Sequence, residues 1–477
     1  MNSDSREFAI SYVNIDRIKA KQNYSCVGGP FGSALSRKHY VEKGGVPVIR
    51  GVNLGGDRYH DEGYVFVSED KGDELHRNLA FPGDIVFTQR GTLGQVAIIP
   101  DNAKYNRYVV SQSQMKLSVN LEMADPYYVY SYFRTWEAKR LIENSAIVGG
   151  VPHINLGIFK AIEIPLPSLR KQKKIASMIR NFDDKIELNH QTNKTLEQIA
   201  QAIFKSWFID FEPTRAKIAA KQNGQDPERA AMCAISGRSL DELDQLGPEV
   251  QRQLKSTAAL FPDVLVESEL GEIPEGWESS KLGAYFNIVM GQSPKGDTFN
   301  EEGEGTLFFQ GRRDFGFRFP IPRVYTTEPK RFAQAGDALI SVRAPVGDKN
   351  MALCECCLGR GVAGIRHKSG SRSFTYALIS HIEQGLSNNG SDGTVFSSIN
   401  KKELNAVPFI SPDKCLVFLF EEKIYAVDQH IETSSKEIEL LENLRDNLLP
   451  KLLSGELLIK STQTDKNKQH ELSSYSS

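Results

Sequence analysis

The sequence predicts an α+β chain in which two globular α/β parts alternate with two long α-helices that pair as an antiparallel coiled coil, a pseudo-two-fold tandem repeat. Three observations predict it. Between Leu169 and Trp207 the apolar residues Ile175, Ile179, Phe182, Ile186, Leu196, Ile199 and Ile203 recur by threes and fours, with Asn189 and Asn193 filling the two seam positions between Ile186 and Leu196. That is a coiled-coil seam. The seam returns 245 residues later as Phe420, Ile424, Val427, Ile431, Ser434, Ile438, Leu441, Leu444 and Leu448. Each copy is entered from a proline, Pro167 or Pro412, and is preceded by a similar series of short apolar runs and glycine turns.

At about 1.5 Å per residue, ~38 residues make a rod of roughly 57 Å. One apolar stripe of that length needs a partner, and the other copy is the economical one. The polar seam positions are expected to fix the alignment of the two helices at some cost in stability. Pro450 cannot continue a helix interior and is expected to end the second one.

In chain order the expected parts are a first globular part (1–168), a long helix (169–208), a connector (209–272), a second globular part (273–412), a second long helix (413–459) and a polar tail (460–477) expected to be disordered. In the first part, VPVIRGVNL (46–54), YVFVSED (64–70), DIVFTQRG (84–91) and QVAIIP (95–100) read as strands between glycine-bearing turns. DPYYVYSYFRTWEAKRLI reads as one helix, capped by Asp125 with Pro126 at its first position and an apolar face through Tyr130, Phe133 and Leu141. The connector reads as aromatic anchors at Trp207–Pro213, two short helices over 214–246 and an extended crossing segment over 260–277. The second part repeats the plan of the first. Gly336-Asp337 aligns with Gly83-Asp84, Arg343 with Arg90, Gly347 with Gly94, and Ile399-Asn400 with Ile154-Asn155.

Composition bounds the function. A chain of 477 residues with 40% hydrophobic and 25% charged residues is expected to hold two or three ordinary globular domains. It has no run of 18 apolar residues and no basic-then-apolar leader, so a cytoplasmic protein without membrane partners is expected. Six scattered cysteines do not form a disulfide framework. The C-x-x-C of Cys354 and Cys357 lacks a second ligand pair for zinc, so reduced cysteines in a strand are expected and no metal site is assigned. The net charge of −2 conceals a slight excess of cations in both globular parts: 18 − 16 = +2 over 8–167, and 16 − 14 = +2 over 273–412. Charge therefore permits nucleic-acid binding without requiring it.

No catalytic constellation emerges. Gly359-Arg-Gly-Val-Ala-Gly364 matches G-x-G-x-x-G but leads into IRHKSGS rather than a helix, so a turn is expected. Gly291-Gln-Ser-Pro-Lys-Gly296 has phosphate-loop spacing, but Asp297 stands where the lysine should be. Asp125-Pro-Tyr-Tyr128 lacks the second proline of a methyltransferase D-P-P-Y and reads as a helix cap. Pro412-Asp413 with Glu421-Glu422-Lys423 imitates a nuclease motif at the start of a helix, where solvated helix charges are expected. His153 has no nameable partner for a triad.

Paired antiparallel helices of matched register would place two globular parts about a pseudo-dyad, an arrangement suited to two half-sites on duplex DNA. Several motifs carry a family resemblance: GPFGSAL (29–35), PVIRGVNL (47–54), FPGDIVFTQRGTLG (81–94), the GGVPHIN to IPLP segment, FKSWFIDFEP (204–213), LFPD to SELGEIPEGW (260–277), GQSPKGDTFN (291–300) and LLPKLLSGEL (448–457). In this order, over nearly the whole chain, they resemble the specificity subunit of a type I restriction-modification system. The resemblance implies two target-recognition domains that each read half of an asymmetric interrupted site, with the helices as ruler. It implies a non-catalytic chain that docks two methyltransferase subunits and the restriction (motor-nuclease) subunits. Adenine-N6 methylation with S-adenosylmethionine, and ATP- and Mg-dependent translocation and cleavage, then belong to those partners, and this chain carries no cofactor. A non-catalytic scaffold and a stand-alone DNA-binding paralogue are the competing readings.

Candidate DNA contacts are polar or basic residues in glycine-bearing loops, where backbone approaches phosphate and long side chains reach base edges. In the first part these are Ser33, Arg37, Lys38, Arg50, Asn53, Gln89, Arg90, Thr92 and Gln112. In the second they are Gln292, Ser293, Lys295, Gln310, Arg312, Arg313 and Arg343. Arg90 and Arg343 stand out because they recur at the same place in both repeats.

Overall fold

A computed structural model describes residues 11–42, 44–343, 346–388 and 398–457. The expected tail (460–477) and the SDGTVFS stretch (391–397) lie outside them. The chain divides into two units, 1–189 with 436–477, and 190–435, so each long helix contributes one part to each unit.

Unit 1 is built on two sheets. The first has the strand order Cys26–Gly28, Gln114–Leu117, Ile85–Thr88, Val96–Ile98. The second runs Tyr40–Val41, Val65–Val67, Val46–Ile49, Tyr108–Val110, Leu79–Ala80, with a parallel pair between Val46–Ile49 and Tyr108–Val110. A third pairing ties Ser11–Asn14 to Glu163–Leu166 just before the first long helix. Unit 2 repeats the plan strand for strand. Its first sheet is Phe286–Met290, Val362–His367, Ala338–Ser341, Lys349–Met351; its second is Phe299–Asn300, Tyr325–Thr326, Thr306–Phe309, Cys356–Leu358, Phe332–Ala333. Glu278–Lys281 pairs with Pro408–Ser411.

The Gly-Asp turns show why the repeat is visible in sequence. Gly83 (φ 86°) and Gly336 (φ 84°) adopt a left-handed backbone that favours glycine. The next residue closes the turn: Asp84 accepts the N–H of Phe81 at 3.0 Å, and Asp337 accepts that of Gln334 at 2.8 Å. Each carboxylate also meets a cation from the neighbouring strand, Lys116 at 3.0 Å and Arg366 at 2.5 Å. The segments with Ile154-Asn155 and Ile399-Asn400 match too, since Asn155 caps the helix Leu156–Ala161 and Asn400 caps Lys401–Ala406.

The long helices span Leu169–Phe208 and Lys414–Ser454. In unit 1, Ile175 and Ile179 are buried in one core with Leu449 and Leu452, and Asn189 donates to Glu437 at 2.8 Å. In unit 2, Asn193 donates to Ser435 at 3.2 Å, and the rings of Phe204 and Phe420 lie 5.8 Å apart. Within each unit the numbering of one helix rises as that of its partner falls, so the two segments run antiparallel.

Several expectations need correction. The second helix continues through Pro450 to Ser454. The missing N–H costs one backbone bond, but Leu449, Leu452 and Leu453 on either side are buried in the unit 1 core and hold the last turn in place. Ile199 (44% exposed) and Leu444 (43% exposed) leave the seam. A 3.6-residue helix drifts against a 3.5-residue pattern, so the buried stripe passes to Ala200 and Phe204, while Arg445 takes the inward place beside Leu444. The expected helix after Asp125 is two, Pro126–Arg134 and Trp136–Asn144, because Thr135 turns extended and caps the second through Ala138 N–H. Leu141 is exposed, and Ala138 and Ile142 face inward. The connector holds four helices, Glu212–Gln222, Pro227–Ser236, Leu240–Asp244 and Pro248–Ala258. The crossing segment folds into a hairpin of Leu265–Ser268 with Gly271–Pro274.

Cys356 and Cys357 lie buried in a strand, and burial pushes the Cys356 thiol up to about 12. Gly359 to Gly361 turns directly into the strand Val362–His367, which contains Gly364. Glu421 is not a solvated helix charge: it accepts the N–H groups of Ser373 and Phe374 at the start of the helix Arg372–Asn388, and burial raises its carboxyl. No helix among the described residues is long and apolar enough to cross a membrane.

Candidate nucleic-acid interface

Strand direction decides where the candidate loops go. In unit 1 the chain leaves Gly28, Ile49, Thr88 and Val110 and re-enters at Gln114 on one edge of the two sheets. Backbone bonds knit those loops together. Gly29 N–H reaches Gln114 O at 2.8 Å, Ser111 N–H reaches Ile49 O at 2.9 Å, Gln89 N–H reaches Ser113 O at 2.8 Å, and Ile154 N–H reaches Gln89 O at 2.9 Å. Glycine is required at 29, where a Cβ would sit 1.9 Å from Ser111 O.

This edge gathers Ser33, Arg50, Gln89, Arg90, Thr92 and Gln112, which divide into two groups. Ser33, Arg90 and Thr92 are exposed, and Arg90 is held by a backbone bridge to His153. The others build the loops. Gln112 is exposed but its Nε2 donates to Gly32 O (2.5 Å) and Leu35 O (2.8 Å), Gln89 Nε2 donates to Gln112 O (2.7 Å), and Arg50 Nη2 donates to Gly63 O (2.9 Å). Asn53 is fully buried. Its amide accepts Arg50 N–H and donates to His60 O and Glu62 O, so it closes the 50–62 loop and cannot reach a base. Arg37 and Lys38 are exposed but stand apart. They precede Tyr40, which is level with Val46 across Val67, the end of that strand remote from Arg50.

Unit 2 presents the corresponding edge after Met290, Phe309, Ser341 and Leu358. Gln292 N–H reaches Leu358 O at 2.8 Å, Gly359 N–H reaches Phe309 O at 2.8 Å, and Val342 N–H reaches Gly361 O at 2.9 Å. Gln292, Lys295, Gln310, Arg313 and Arg343 are exposed here. Arg343 is bridged to Ser398 as Arg90 is to His153. Arg312 is exposed but its Nε pairs with Asp348 at 2.7 Å, and half-buried Ser293 accepts Arg360 N–H at 3.3 Å. Arg360 is exposed on the same edge, at the strand-register position of Gln112. Sequence reasoning missed it because it lies inside the G-x-G-x-x-G that was dismissed as a nucleotide motif. Those glycines mark close strand packing: a Cβ at Gly361 would lie 2.5 Å from Gln310 O.

What this edge can do chemically follows from its side chains. Guanidinium and hydroxyl groups on pinned glycine loops can meet phosphate and base edges, and the short, fixed loops reduce the ordering cost of doing so.

Comparison with known proteins agrees with the motif order. Residues 31–198 match the family model for the type I restriction modification DNA specificity domain. The specificity subunit of the type I restriction enzyme HindI of Haemophilus influenzae is 30% identical over 416 residues, covering 79% of this chain and 86% of that protein. The MjaIX specificity subunit of Methanocaldococcus jannaschii is 23% identical over 399 residues, covering 80% of this chain and 79% of its own. Among solved structures, the S subunit of a type I restriction-modification system from M. genitalium shares the fold, with a TM-score of 0.50, 15% identity, and coverage of 97% of this chain and 98% of that one.

Proposed function

The chain belongs to the family of type I restriction enzyme specificity subunits, and from that premise we propose that its two units are separate readers of one bipartite, asymmetric duplex site. One observation carries the proposal. Each unit ends the same sheets in the same set of loops, with an exposed arginine, Arg90 or Arg343, bridged at the same place, while the surrounding side chains differ. Two frames with different loops are what a site of two unlike halves requires; a symmetric scaffold would have no use for the difference.

In this reading the chain catalyses nothing and binds no cofactor. The paired long helices form a coiled-coil spacer that fixes the distance between half-sites. They also dock two methyltransferase subunits, with restriction subunits joining the assembly in the cytoplasm. Adenine-N6 methylation from S-adenosylmethionine and ATP- and Mg-dependent cleavage belong to those partners. Leu188 and Leu440 in unit 1 and Phe418 in unit 2 are exposed on the helices.

Co-expression of the chain with its methyltransferase, followed by genome-wide mapping of adenine methylation, tests the reading. A two-part motif with a fixed gap is expected; absence of any bipartite motif contradicts it. Arg90→Ala and Arg343→Ala are each expected to weaken binding to that motif by about 1–3 kcal/mol, the value of a bidentate arginine–base contact. Titration of labelled duplex at fixed salt measures it, and unchanged affinity for both variants removes the arginines from the readout.

A further inference from the structure

The first reader's edge carries a side chain of the wrong character for a solvated loop. Phe31 is 93% exposed, between Pro30 and Gly32. Single exposed apolar residues are ordinary, but three observations set this one apart. Its loop is not slack, because Gln112 Nε2 holds the carbonyls of Gly32 and Leu35 on either side of Ser33 and so pins the loop to the edge that presents Arg90. Two residues earlier, the backbone at Gly29 packs so closely on Ser111 that a Cβ there would lie 1.9 Å from Ser111 O, which fixes where the loop leaves the sheet. The third observation comes from unit 2. Gly29 N–H and Gly291 N–H bond to Gln114 O and Val362 O at the same register position, and two residues later unit 2 has Ser293, half-buried and accepting Arg360 N–H, where unit 1 has Phe31. At one position of a shared frame, one unit presents an exposed apolar ring and the other a half-buried hydroxyl engaged within its own loop.

We propose that Phe31 is a specificity residue that makes apolar contact with a thymine 5-methyl group in the half-site read by unit 1. Thymine is the one base whose major-groove edge carries a methyl group, and an aromatic ring is a suitable partner for it. The ring lies in water in the free chain and loses that exposure only on DNA, so its burial favours the complex alone. The inference rests on the DNA-reading function proposed above.

The test uses the full chain assembled with its methyltransferase, on duplexes carrying the mapped motif. Each thymine of the first half-site, on either strand, is replaced singly by deoxyuridine. One replacement is expected to weaken wild-type binding about fourfold, the value of one buried methyl. Phe31→Ala is expected to bind the parent duplex more weakly and to be indifferent to that replacement, while Phe31→Leu keeps part of the discrimination. Because Phe31 contributes to no core, both variants are expected to fold with unchanged melting temperatures. The proposal is overturned if every deoxyuridine duplex binds wild type like the parent, if the fourfold loss persists in Phe31→Ala, or if that half-site contains no thymine. Failure of DNA reading itself looks different: neither protein would then bind any motif duplex specifically.

Discussion

Asp428→Ala is expected to cost unit 2 about 3–5 kcal/mol, the cost of stripping a buried charge of its most buried partner. The charge is Arg318, whose side chain is 3% exposed. Its guanidinium pairs with Asp428 at 2.6 Å and with Glu197, and lies 3.7 Å from the centroid of the Tyr376 ring. Asp428 is itself 3% exposed and takes a second bond from Ser373 Oγ at 2.6 Å. Arg318 Nε has no hydrogen-bond partner, so Glu197 is the one carboxylate left to the ion when Asp428 is lost. The arginine comes from the loop between two strands of the second sheet, Glu197 from the first long helix and Asp428 from the second. One ion therefore ties the second sheet of unit 2 to both helices within that unit. Denaturant unfolding measures the loss, and a change of under about 0.5 kcal/mol would show that the pair contributes nothing. Replacing the ions together, as Arg318→Met with Asp428→Leu, is expected to cost less than Asp428→Ala alone, because the buried guanidinium is gone and the carboxylate left behind, Glu197, is the more exposed of its two partners.

Unit 1 solves the same problem with the signs exchanged, and Asp183→Asn there is expected to cost about 3 kcal/mol. Arg134 forks onto Asp183 at 2.6 and 3.1 Å, Tyr127 donates its hydroxyl at 2.6 Å, and Arg445 donates at 2.8 Å. Burial tends to raise the Asp183 carboxyl, but Arg134, Tyr127 and Arg445 outweigh it and hold it below the usual range. A carboxyl depressed in the folded state contributes stability that is fully present above its unfolded value, about 3.9. That contribution is lost as pH falls through the lower folded value. The gap between wild type and Asp183→Asn should therefore be full at pH 7 and shrink below about pH 4. Urea unfolding at a series of pH values checks it; a gap that stays constant down to pH 2 would mean that the carboxylate charge is not what holds the two arginines.

These hubs were not legible in the sequence, and the reason is physical. Asp183 and Arg445, or Glu197 and Arg318, read as ordinary helix and loop charges, and only packing shows that they are withdrawn from water. What was legible depended on local rules. Gly83-Asp84 and Gly336-Asp337 were visible because a left-handed turn needs glycine and a short acceptor beside it. The two seams were visible because helical spacing repeats, although Ile199 and Leu444 show that a heptad count loses the buried face over 40 residues. The helix break at Thr135 was missed because the apolar spacing runs through it while a single side-chain cap resets the backbone.

The candidate edge was half legible. Most of the glycine-bearing loops gather on one edge of each unit, and Arg90 and Arg343 fall there at matching places. Residue type could not tell a reader from a brace: Asn53 and Gln112 have the chemistry to read adenine, yet their amides are committed to loop carbonyls. Phe31 and Arg360 lay outside the search, one because it is apolar and the other because its glycines suggested a nucleotide turn.

The claim that the two units read independently is tested most directly by exchange. Residues 8–167 are replaced with the corresponding part of another specificity subunit, the chimera is co-expressed with the methyltransferase, and adenine methylation is mapped across the genome. The account predicts that one half of the motif changes while the other half and the gap stay fixed. A change in both halves, or no change in either, would contradict it.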